Sequence, residues 1–94
     1  MTNQKKGTST TMYLLMAEFG SRMMIPLEEL AQSVLGMSIN TAKRRAKSCE
    51  LPFPTVKLNE SQKAPYLVSI QDLATYIEDR CTLARIEWTK IHDF

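Results

Sequence analysis

Apolar residues recur along this chain in short periodic runs punctuated by glycine and proline. Residues 1–10 are polar, hold Gly7 and show no period, so a disordered tail is expected there. The run "TMYLLMAEFG" then predicts a short helix, with Thr10 or Thr11 as N-cap and Gly20 just past the end. Tyr13, Leu14, Leu15, Met16 and Phe19 make it apolar nearly all round, so it should be buried or face a partner chain. "SRMMIP" reads as an extended connector, because the residue before a proline is pushed away from helical angles. Pro26 next opens a second helix, "PLEELAQSVLG", with Glu28 and Glu29 in its positive first turn. Its Leu27, Leu30, Ala31, Val34 and Leu35 share a face, and Gly36 allows the left-handed residue that ends it.

A third helix follows at once. Ser38 is its N-cap, and Ile39, Ala42, Ala46 and Cys49 form an inner stripe at steps of three and four. Two short helices joined by "GMS" make a helix-turn-helix candidate. The proline-rich "LPFPTVKLNESQKAPYLVSI" contains two alternating runs, 55–58 and 66–68, around a polar loop, which predicts a small hairpin or wing. Ser69 and Asp72 then form a capping box for a long last helix. Along it Ile70, Ala74, Ile77, Cys81, Ala84, Trp88 and Ile91 recur at steps of four and three, a seam of three heptads. The order predicts a mainly α fold with a small β-hairpin: a winged helix-turn-helix with a long C-terminal helix. Residues 11–80 would be the DNA-binding domain and 81–94 a helical extension.

At 94 residues and 44% hydrophobic side chains the chain can bury one small core. No stretch of 18 apolar residues and no signal-peptide pattern occurs, so a cytoplasmic protein without membrane contact is expected. Cys49 and Cys81 lack metal-ligand or redox spacing and are read as small buried hydrophobes rather than a disulfide. His92 has no partner at catalytic or metal-ligand spacing, and no glycine loop cradles a phosphate. These features argue against an enzyme, a metal, a cofactor or a small-molecule substrate.

The net charge of +2 becomes informative once located. Residues 39–63 hold six basic and two acidic residues, a local +4, while the remainder carries −2. Such polarity favours a polyanion at one surface, and double-stranded DNA is the expected partner. On a helical wheel Arg44 points opposite the inner stripe. Asn40 and Lys47 flank it on one side and Thr41 and Ser48 on the other, while Lys43 and Arg45 splay to the edges. Arg44 and Asn40 can pair with guanine and adenine edges, Lys43, Arg45 and Lys47 can neutralise phosphates, and Thr41 and Ser48 can bond either. Lys57, Ser61, Gln62 and Lys63 offer a second contact surface on the wing. The last helix outruns what so small a core can cover, so Leu83, Ala84, Trp88 and Ile91 are expected to pair subunits into a homodimer.

The strings "YLLMAEFG", "IPLEELAQSVLG", "INTAKRRA", "LPFPTVKL", "SQKAPYLV" and "IQDLATYIEDR" together resemble the pyocin activator (PrtN-type) family of bacterial and prophage-associated transcription regulators, over residues 12 to 80. The resemblance implies an activator of genes for phage-tail-like bacteriocins or related prophage functions, with Lys43, Arg44, Arg45, Ser61, Gln62 and Lys63 facing DNA. The layout also looks like that of small phage excisionases, so a recombination directionality factor that bends DNA is the nearest alternative. A protein-interaction adaptor or antirepressor acting through the apolar tail is the rival from another class.

Overall fold

A computed structural model of the chain describes residues 10–92. The elements are α1 (Thr10–Phe19), β1 (Met24–Pro26), α2 (Leu27–Leu30), α3 (Ile39–Lys47), β2 (Leu67–Ser69) and α4 (Ile70–His92). The fold is mainly helical, with one small antiparallel sheet and a long last helix. Of the expected tail at 1–10, residues 1–9 lie outside the described residues, and Thr10 belongs to α1 instead. Thr10 and Thr11 are already helical, so neither is the N-cap.

β1 and β2 pair with Met24 opposite Ser69, Ile25 opposite Val68 and Pro26 opposite Leu67. The extended connector is therefore half of the sheet. The expected wing hairpin shrinks to a single bridge, Val56 with Leu67, made by two reciprocal 2.8 Å backbone hydrogen bonds. β2 thus lies between β1 and residue 56. Pro26, which lacks an N–H, sits where β1 turns into α2, and the next donor, the Leu27 N–H, reaches the Tyr66 carbonyl at 2.8 Å. Arg22 grips Glu29 with both terminal guanidinium nitrogens, at 3.1 and 2.7 Å, which fastens the approach to β1 onto α2. That hydrogen bonding holds the Glu29 carboxyl below the usual carboxylate range and raises the Arg22 guanidinium.

The second helix is shorter than its pattern predicts. Regular α-helix ends at Leu30, whose carbonyl accepts from both Val34 and Leu35, so the ladder widens into turns over residues 31–35. Gly36, at φ +67, closes the segment, and Gly20, at φ +83, ends α1, both as expected. The core is formed by Ile25, Leu27, Leu30, Val68 and Leu73, all fully buried, with Met12 and Leu15 of α1 closing one side. α1 packs on α4, and α2 on α3. Ala42 and Ala46 are the buried positions of α3, and their small side chains let its backbone lie close to α2. Phe53 stands edge-on to Tyr76, with ring centroids 5.4 Å apart, and ties the proline-rich segment to α4.

Ser69 caps α4, but its hydroxyl accepts from the Gln71 N–H rather than from Asp72 as a full capping box would have it. Of the apolar seam on α4, Ile70 and Ala74 are buried, together with Leu73, and Ile77 is half-buried; residues 81–92 are exposed throughout. The reading of both cysteines as buried is wrong. Cys49 and Cys81 are exposed free thiols, because α3 ends before Cys49 and the body of the domain ends before Cys81.

Candidate nucleic-acid interface

α3 begins where its sequence says it should. The Ser38 hydroxyl accepts from the Thr41 N–H at 3.1 Å and donates to the Thr41 hydroxyl at 3.0 Å. The cap thus engages the Thr41 side chain that was expected to reach DNA. Ser48, the C-cap, donates its hydroxyl to the Arg44 carbonyl at 3.0 Å and is likewise turned back onto its own helix. Asn40, Lys43, Arg44, Arg45 and Lys47 remain on the exposed face, opposite or beside the buried Ala42 and Ala46.

Among the described residues, the ion pairs are Arg22 with Glu29 and Lys43 with Glu28. Lys43 is held at 2.9 Å by the first turn of α2. Arg44, Arg45 and Lys47 form no ion pair within the described residues, so their charges are presented to solvent. Crowded like charges on one helix cost a few tenths of a kcal/mol per close pair, and here no described carboxylate offsets those three.

The end of α3 carries an unusual residue. The Glu50 N–H reaches the Arg45 carbonyl at 2.8 Å and the Cys49 N–H reaches the Ala46 carbonyl at 3.1 Å, the two bonds of a Schellman motif. Its left-handed position, where glycine is usual, is occupied by Cys49 at φ 57. A side chain there costs roughly 1–2 kcal/mol, part of which glycine would give back as unfolded-state entropy. Cys49→Gly is therefore expected to stabilise the domain by about 0.5–1 kcal/mol, read as a higher urea midpoint.

Beyond that turn, Lys47, Cys49, Leu51, Phe53, Lys57 and Tyr66 help to line an open cavity of about 650 Å³. Lys47 of α3 and Lys57 of the bridge segment, ten residues apart, thus face one hollow. The Lys57 ammonium lies 5.2 Å from the centre of the Tyr66 ring, directly across the bridge. Tyr66 and Glu28 are partners of the basic residues that local sequence pattern does not announce. The expected pairing of 55–58 with 66–68 would have exposed the first. In the loop, the Asn59 carboxamide accepts from the Ser61 N–H at 2.9 Å and the Ser61 hydroxyl from the Lys63 N–H at 3.1 Å. Asn59 and Ser61 therefore brace the loop, and Gln62 and Lys63 project from it, exposed.

The described residues contain no cluster of metal-ligating side chains and no helix long and apolar enough to cross a membrane. A family model described as pyocin activator protein PrtN matches residues 11–84. No curated protein and no solved structure gives a match.

Proposed function

The chain belongs to the pyocin activator protein PrtN family, a family of regulatory activators rather than of enzymes, and on that premise we propose that it is a sequence-specific DNA-binding activator of pyocin-type genes, those for phage-tail-like bacteriocins, acting in the cytoplasm. Residues 11–80 form its DNA-binding domain, a winged helix-turn-helix in which α2 braces α3, α3 enters the major groove, and the loop after Lys57 approaches the backbone.

The observation that carries this reading is the exposed, unpaired Arg44, opposite the buried Ala42 and Ala46 and flanked by Arg45 and Lys47. Arg44 and Asn40 read base edges, and Arg45, Lys47, Lys57 and Lys63 hold phosphates. Lys43 joins them by exchanging Glu28 for a phosphate, since a half-exposed ion pair is worth at most about 1 kcal/mol. Thr41, Ser48 and Ser61 serve the interface indirectly, by fixing the ends of α3 and the loop. Gln62 lies on the loop beside Lys63 and bonds sugar or phosphate.

The test starts from duplexes selected out of a random DNA pool, with binding read by fluorescence anisotropy. Arg44→Ala is expected to weaken the selected site by about 1–3 kcal/mol and to relax its sequence preference. Lys63→Ala should weaken all sequences alike. Failure to select any site, or an Arg44→Ala protein with unchanged preference, would overturn the assignment.

A further inference from the structure

Where α4 leaves the body of the domain, its apolar stripe does not stop. Ile70, Leu73, Ala74 and Ile77 pack the first half against the core, and the same face continues through Cys81, Ala84, Trp88 and Ile91, all exposed. Trp88 is 61% and Ile91 76% exposed. The uncovered part, residues 81–92, is about 18 Å long at 1.5 Å per residue. A stripe of that length and width fits another helix.

We propose that the stripe is covered by the same stripe of a second copy of this chain, with the two α4 ends running antiparallel. Two observations favour this occupant and this direction. The first is size. An antiparallel overlap centred near residue 86 sets Ala84 against Trp88 of the partner subunit and Cys81 against Ile91 of the partner subunit, so every layer joins a small side chain to a large one. An open surface groove lined by Ala84, Arg85, Trp88 and Thr89 runs along the edge of this layer. A parallel pair would instead stack Trp88 on Trp88 and leave a gap between the two copies of Ala84.

The second observation is charge. Arg80 and Glu87 border the stripe on one side and have no ion-pair partner among the described residues. Antiparallel overlap brings Arg80 of each copy beside Glu87 of the other, twice over by symmetry. The parallel arrangement would bring Arg80 beside Arg85 of the partner subunit, which is repulsive. An overlap of this length buries on the order of 1,000 Å² in total, the size at which specific interfaces begin and weak pairs are found. The two domain bodies then lie at opposite ends of the helix pair.

The test is sedimentation of the full chain over about 1–200 µM, without DNA, so its outcome is independent of the proposed function. A dimer is expected, and Trp88→Ser should raise its dissociation constant at least about tenfold while leaving far-UV circular dichroism unchanged, because the side chain is exposed in the monomer. Arg80→Glu and Glu87→Arg should each weaken the dimer, and the two together should restore it. A monomer throughout the range overturns the proposal, as does a dimer that Trp88→Ser leaves intact. Strengthening by Arg80→Glu would overturn the antiparallel arrangement.

Discussion

Raising the salt concentration from about 50 to about 200 mM is expected to weaken binding to duplex DNA by roughly 250- to 1,000-fold per subunit. The size follows from counting cations that can meet phosphate. Arg45, Lys47, Lys57 and Lys63 have no carboxylate partner among the described residues, and the proposed interface adds Arg44 at the backbone and Lys43 freed from Glu28. Four to six neutralised phosphates give a log-log slope near −4 to −5, and a fourfold rise in salt then costs about 2.4 to 3 decades of affinity. Titration by anisotropy at four or five salt concentrations gives the slope directly. An affinity indifferent to salt would reject DNA as the partner of this face, whatever else the chain binds.

Leu30→Ala should be among the most damaging single truncations in the fold, at about 2–5 kcal/mol of stability. Leu30 is fully buried in the core beside Ile25, Leu27 and Leu73, so truncation removes apolar contact and leaves a cavity. Small domains hold only about 5–15 kcal/mol in total, so the variant would stand close to unfolding at 25 °C. Leu58→Ala supplies the contrast: that leucine is 74% exposed and its loss should stay within about 0.5 kcal/mol. Urea midpoints by circular dichroism measure both. Equal effects at the two sites would contradict the core described above.

The local features of this fold were legible in the sequence, and the non-local ones were not. Ser38 as a cap, Gly20 and Gly36 as helix ends, and the basic outer face of α3 all follow from residues within one or two turns of each other. The pairing of β1 with β2 does not, because it joins segments some forty residues apart and neither three-residue strand has a period long enough to announce a partner. The second helix misled for a related reason. Its apolar spacing continues to Leu35, yet the Leu30 carbonyl is shared by the Val34 and Leu35 N–H groups and the backbone leaves regular helix after one turn. The site fared similarly. Which side chains are basic and outward was readable, whereas the attachment of Lys43 to Glu28, the use of Thr41 and Ser48 as helix ends, and the seat of Lys57 over Tyr66 depend on neighbours placed by tertiary structure or by capping geometry. Cys49 looked like core because the helical stripe was extended one turn too far.

The long-range strand pairing also sets a timetable for the newborn chain. Residues 24–26 emerge from the ribosome first and must wait until residues 67–69 have been made. At 5–20 residues per second that interval is about 2–9 s. Through that time Ile25 and Leu27, which end fully buried, lack the strand and last helix that cover them. A cell making this protein therefore holds a half-made chain with sticky surface until translation is well past its midpoint, and chaperones that bind apolar segments would find their substrate there rather than in the finished domain.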